Sequence, residues 1–109
     1  MANTFKNKVF NGDSSLANSD MAVYTVPSST TTVVIGLTLA NTATSQITVD
    51  IKLNAGDMVF LAKNIPIPSS SSFEYMAGNK IVMETGHSLI VQSDTANSLD
   101  TVASIMEIT

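Results

Sequence analysis

Cysteine, tryptophan and arginine are absent from this chain, histidine occurs once, and only 13% of its 109 residues are charged. Each shortage excludes something. Without cysteine there are no disulfides, thiolate metal sites or cysteine nucleophiles. Without arginine, phosphate recognition would rest on five lysines, of which only Lys6 and Lys8 are near each other, against nine carboxylates and a net charge of −4. No nucleic-acid partner is therefore expected. Soluble domains usually have roughly 25% charged residues, so with so few here, neighbouring subunits are expected to cover part of the surface. No apolar run approaches the ~18 residues of a membrane helix, and Met1–Phe10 holds no signal-peptide core. The expectations are no membrane partner, and synthesis in a cytoplasm without a signal peptide.

What is present is patterned for strands. The hydrophobic content is 44% and the mean hydropathy +0.25, which excludes a disordered polymer, and the length suits one domain. Ile47-Thr48-Val49-Asp50-Ile51-Lys52-Leu53 alternates apolar and polar residues throughout. On a strand this buries Ile47, Val49, Ile51 and Leu53 and turns Thr48, Asp50 and Lys52 toward water. Just upstream, Val33, Ile35, Leu37 and Leu39 share a face of a second strand, and the small polar residues Asn41 to Gln46 suit a turn between the two. The pair reads as a β-hairpin.

The remaining segments follow the same logic. Met21 to Val26 reads as a strand ended by Pro27, which has no N–H for a ladder. Asn54-Ala55-Gly56-Asp57 is a turn in which Gly56 can take positive φ, returning Asp57 to Lys63 antiparallel to Ile47–Leu53. Ile65-Pro66-Ile67-Pro68 breaks pairing twice and, with Ser69, Ser70, Ser71 and Ser72, makes the expected crossover between sheets. Phe73 to Met76 and Lys80 to Glu84 suggest a hairpin around Ala77-Gly78-Asn79, with Ile81 and Met83 on one face. Ser88 to Ser93 and Thr101 to Ile108 are the last strands. Residues 1–20 form an edge strand or an attachment arm whose apolar anchors are Phe5, Val9, Phe10 and Leu16, and residues 21–109 form the body. Helical periodicity is absent, and Gly, Pro or Asn punctuate short Val, Ile and Thr-rich runs, so about eight to nine strands are expected. The fold class is all-β, an antiparallel β-sandwich of immunoglobulin-like or jelly-roll topology with no significant helix.

Candidate chemistry is sparse. His87 lies in a turn with no cysteine to complete a zinc site, and Ser88 beside it has no Gly-x-Ser-x-Gly elbow. Asp94, Asn97 and Asp100 share a loop, but without the ligand spacing of a calcium loop they read as turn formers. Glu74, Glu84 and Glu107 lie on expected strands, and nothing in the sequence pairs two of them as catalytic acids. Tyr24 and Tyr75 offer faces for sugar stacking or for core and interface packing. The isolated glycines form no phosphate-binding loop. No catalytic residue, metal or cofactor is expected.

Val23-Tyr24-Thr25-Val26-Pro27, Val34-Ile35-Gly36-Leu37 with Asn41, Ile65-Pro66-Ile67-Pro68, Glu84-Thr85-Gly86-His87-Ser88-Leu89-Ile90-Val91 and Ser104-Ile105-Met106-Glu107-Ile108 together resemble small all-β virion proteins of tailed bacteriophages, especially of marine cyanobacterial phages. The resemblance runs from about Met21 to Thr109. It implies a non-enzymatic virion protein that decorates the capsid, or joins the head and tail, in contact with capsid, portal or tail proteins. The alternative is a receptor- or glycan-binding head of a tail fibre. Self-association is expected, with a trimer favoured. The candidate contacts are Phe5, Val9 and Phe10, the loop Ser69 to Ser72, Tyr75, and the loop residues Asp94, Asn97 and Asp100.

Overall fold

Nine strands, rich in β-branched residues and bounded by Pro, Gly, Asn and Ser, make up the described part of the chain. The computed structural model describes residues 2–12, 17–76 and 80–109. In chain order the strands are β1 (Asn3–Phe10), β2 (Met21–Thr25), β3 (Thr31–Asn41), β4 (Ile47–Asn54) and β5 (Met58–Ile67). Then come β6 (Ser72–Glu74), β7 (Ile81–Met83), β8 (Ser88–Ser93) and β9 (Leu99–Ile108). One sheet runs β1-β9-β3, with β6 and β7 both on the far edge of β3, and the other runs β2-β8-β4-β5. Every pairing is antiparallel. Taking β6 and β7 as one divided strand, each sheet has four positions, and all connections except the β4–β5 turn pass from one sheet to the other. This is the strand order of a jelly roll, which decides between the two sandwich topologies left open by sequence.

The β4–β5 turn forms as the pattern implies, with Gly56 at φ 93° and Asn54 opposite Met58. The expected hairpin between β3 and β4 does not form. β3 pairs with β9, β6 and β7, while β4 pairs with β5 and β8 in the opposite sheet, because residues 42–46 carry the chain across the sandwich. Asn41, only 3% exposed, holds this corner. Its Nδ2 donates to the carbonyls of Ser45 and Ile67, and its Oδ1 accepts from the Ala43 N–H.

The face read for β3 also needs correction. Leu37 and Leu39 are buried, but Val33 is half-buried and Ile35 is exposed, with Thr32 and Val34 pointing inward instead. A β-bulge between Val34 and Gly36 inserts one extra residue, and a slip of one residue exchanges the two faces of a strand. Glu74 stabilises this irregularity: its carboxylate accepts from Leu37 N at 2.8 Å, Thr38 Oγ1 at 2.6 Å and Met76 N at 3.3 Å. Burial opposes the charge on Glu74, yet these donors hold its carboxyl below the usual range.

Two further segments differ from expectation. β6 and β7 do not pair as a hairpin; both lie along β3, opposite Thr38–Ala40 and Thr32–Val34 respectively. The expected turn at 77–79 and the anchor Leu16 fall outside the described residues. Pro66 does not break pairing either. It sits within β5 opposite Thr48, on the open edge of its sheet where no N–H is required, and the crossover begins only at Pro68.

Between the sheets, Ile47, Val49 and Ile51 of β4 face Val34, Leu37 and Leu39 of β3, with Leu89, Val91, Leu99 and Ile105 completing the centre. Burying each such side chain contributes about 1.5–3 kcal/mol before ordering costs. Gly12 is required where residues 11–12 cross the sandwich end, since a Cβ there would lie 2.1 Å from the Leu99 carbonyl oxygen.

Candidate functional site

The register between β1 and β9 divides the residues of β1 in an unusual way. Opposed residues in an antiparallel pair share a face. Lys6, Lys8 and Phe10 lie opposite Ile105, Ala103 and Thr101, all buried, whereas Phe5 and Val9 lie opposite Met106 and Val102 on the outer side. The expected anchors therefore separate. Phe10 packs against the core, but Phe5 and Val9 project away from it, 72% and 65% exposed.

Continuing across the sheet, Met106 opposes Val33 and Val33 opposes Val82. Phe5, Met106, Val33 and Val82 thus form one apolar row spanning the width of the sheet's outer face, with the displaced Ile35 next to it. Val82 is 62% exposed and Val102, in a parallel row with Val9, is 41% exposed. Gly36 and Ser104 are opposed in the middle of the face, and beside them a shallow groove is lined by Phe5, Lys6, Asn7, Ile35, Ser104 and Ile105.

Lys6 turns inward to a polar cluster at one end of the core. Its Nζ lies 2.8 Å from Glu107 Oε1, and Tyr24 donates to Glu107 Oε2 at 2.6 Å while sharing a 2.8 Å hydrogen bond with Thr32. The hydrogen bonds from Lys6 and Tyr24 hold the Glu107 carboxyl below the usual range. Burial and the adjacent carboxylate push the Tyr24 hydroxyl up to about 12. Every member of this cluster has a partner, and it joins the two sheets at that end.

The loops singled out by sequence lie together at one end of the sandwich. Thr42 N donates to the Ser98 carbonyl and Asn41 N to that of Ser71, so residues 41–42 bridge the loop at 69–72 and the loop at 94–98. Ser69 Oγ donates to the Ala43 carbonyl, and Asp94 Oδ1 accepts from Thr48 N. Asp100 Oδ1 accepts from Gly12 N, and Ser70 and Asn97 take positive φ. Ser71 donates weakly to the Ser69 carbonyl at 3.5 Å, and Ser72 begins β6. No group of three or more metal-ligating side chains occurs among the described residues. Tyr75 points its hydroxyl inward to the Leu61 carbonyl at 2.8 Å, and Tyr24 is buried, so neither ring offers an open platform.

On the other sheet the surface is less wet than the alternation implies. Thr48, Asp50 and Lys52 are half-buried. Lys52 pairs with Asp20 at 2.7 Å and bonds Gln92, and its ammonium lies 5.2 Å from the Phe60 ring centre. Lys63 lies over the same ring at 4.8 Å. His87 sits in its turn with Nδ1 accepting from Glu84 N at 3.1 Å.

The outer apolar row escaped sequence reasoning because it is assembled from four strands far apart in the chain. The one local sign was in β1, where lysines alternate with Phe5 and Val9.

No protein-family model matches the chain, and no curated protein matches it. Among solved structures, two crystal structures of a pentameric capsid protein isolated from metagenomic phage sequences are similar to it. Each is 18% identical with a TM-score of 0.41 over 91% of this chain. The chain spans 61% and 59% of the length of those two proteins.

Proposed function

We propose that this chain is a non-enzymatic structural protein of a phage virion, acting as a capsid decoration or head-to-tail assembly subunit. The observation that carries the reading is the outer face of the five-stranded sheet. Its apolar row is uncovered on a domain with few charges, the kind of surface that a soluble monomer avoids and an assembly subunit buries. The resemblance in sequence to phage virion proteins supports the same role. So does the engagement of the loop carboxylates Asp94 and Asp100 with backbone N–H groups, which leaves them to brace loops instead of forming a chemical site. Mass spectrometry of purified particles tests the proposal. The expected result is the chain at many copies per particle, and a particle map then places it on capsid, neck or tail. Its absence from intact virions would refute the role.

A further inference from the structure

We infer that the outer face of the five-stranded sheet receives a second copy of this chain, packed face to face about a two-fold axis. The inference deepens the assembly reading above and rests on it. Four observations lead to it.

First, β1 is inverted. Its lysines point toward the core side and its Phe5 and Val9 point outward, an arrangement that is unfavourable for an isolated domain and favourable once the outer face is covered. Second, the edges at β1 and β5 are guarded while the face is open. Inward-pointing Lys6 and Lys8 discourage another strand from adding to β1. On β5, Pro66 and the register shifts opposite Val49–Lys52 do the same. The exposed Phe60 on β5 already lies beneath two ammonium groups.

Third, the charge pattern permits a second copy. Phe5, Asn7 and Val9 on β1 and Val102, Ser104 and Met106 on β9 present no charge outward. The two carboxylates that share the face, Glu74 opposite Thr38 and Asp100 opposite Ala40, are held by the backbone N–H groups of Leu37 and Gly12. About a two-fold axis along the strands, Glu74 meets Val9 of the other copy and Asp100 meets Ala40, so two copies that each have a net charge of −4 set no carboxylate against a carboxylate. Fourth, the size suffices. Eight register pairs along β1 and β9 and four strand positions across give a face of about 27 by 19 Å from standard strand spacings. That is about 500 Å² per copy and about 1,000 Å² for the pair, the scale at which specific interfaces begin. A two-fold axis lying in the interface along the strands places Phe5 of one copy against Val82 of the other, and Met106 against Val33. The row thus matches itself, as an isologous contact requires.

The test is the oligomeric state of the purified full chain by sedimentation equilibrium at tens of micromolar, with folding followed by circular dichroism. The expected result is a dimer. Val82→Glu and Phe5→Glu, at positions that contribute little to the chain's own core, should each weaken it at least about 100-fold by burying an unpaired carboxylate against the other copy's apolar row. Val59→Glu on β5 should leave the dimer intact. A monomeric native chain, a closed ring of three or more copies, or a folded Val82→Glu that stays dimeric overturns the inference. Should the glutamate variants fail to fold, Ser104→Cys supplies the only thiol of the chain, next to the axis. Cross-linking by a short bis-maleimide to a dimer supports the inference, and its failure at the same concentration overturns it. None of these readouts involves particles, so the inference can fail while the chain is still found in virions, and the reverse.

Discussion

The Tyr24 hydroxyl and the Glu107 carboxylate meet at 2.6 Å across the interior, tying β2 of one sheet to β9 of the other. Glu107 also receives Lys6 from β1, and Tyr24 shares Thr32 on β3, so four strands converge on one buried carboxylate. Tyr24→Phe keeps the ring and removes the bridge. Because it leaves Glu107 and Thr32 short of a buried partner, a loss of about 1–3 kcal/mol is expected, read as a lower denaturation midpoint at unchanged m-value. An unaltered midpoint would refute the bridging role.

The same pair sets the pH dependence. Glu107 and Glu74 both titrate lower in the folded state than in the unfolded chain. Their contribution is therefore present above the ordinary carboxylate pKa and is lost as the pH falls through their depressed folded values. Tyr24 behaves oppositely. Raised from 10.0 to about 12, it contributes stability below pH 10 that disappears as the pH rises toward 12. Thermal melts across pH should show both limbs, Glu107→Gln should flatten the acid one, and Tyr24→Phe should remove the late phenolate signal at 295 nm.

Asn41→Ala should loosen the loop end of the sandwich. The substitution strands the buried Ile67 carbonyl and frees Ala43 N–H, at an expected cost of about 1–3 kcal/mol. Hydrogen exchange should quicken at residues 42–46 and 68–71 before it does in the sheets. Uniform protection would contradict the clasp.

The bulge in β3 makes a paired prediction. Leu37→Ala removes a fully buried side chain and should cost about 2–5 kcal/mol. Ile35→Ser, two residues away on the outer face, should change the stability of the monomeric domain by less than about 0.5 kcal/mol. Equal costs would mean that strict alternation continues through the strand.

Thr101→Val should stabilise. Among the described residues Thr101 Oγ1 is the buried side-chain polar atom without a hydrogen-bond partner, and the residue is 1% exposed. Replacing an unsatisfied hydroxyl by a methyl group relieves a penalty of about 1–3 kcal/mol. A lower melting temperature would indicate an unseen partner for the hydroxyl.

Much of the architecture was legible in the sequence, and the exceptions share a cause. β4, β8 and the Gly56 turn follow from local alternation and turn chemistry, which short segments carry by themselves. What local pattern cannot convey is which strands become neighbours. The residues between β3 and β4 look like a hairpin turn, yet Asn41 uses its side chain to bend the chain across the sandwich. Ile35 reads as core because a bulge inserts no recognisable residue, and its support, Glu74, arrives from β6. The candidate contacts followed the same division. Phe5 and Val9 were identifiable as exceptional, but their row with Met106, Val33 and Val82 exists only once β9 and β3 are aligned.

β9 lies between β1 and β3, and this position governs when the protein can become a protein. On the ribosome β1 emerges before β2–β8 and its neighbour in the sheet after them. Neither β1 nor the long edge of β3 can close its ladder until residues 99–108 have emerged. Folding of this sheet therefore waits for β9, is dominated by distant contacts and is correspondingly slow. Nascent chains hold Phe5, Val9 and Val33 unsheltered until β9 emerges, which makes chaperone occupancy a function of elongation time.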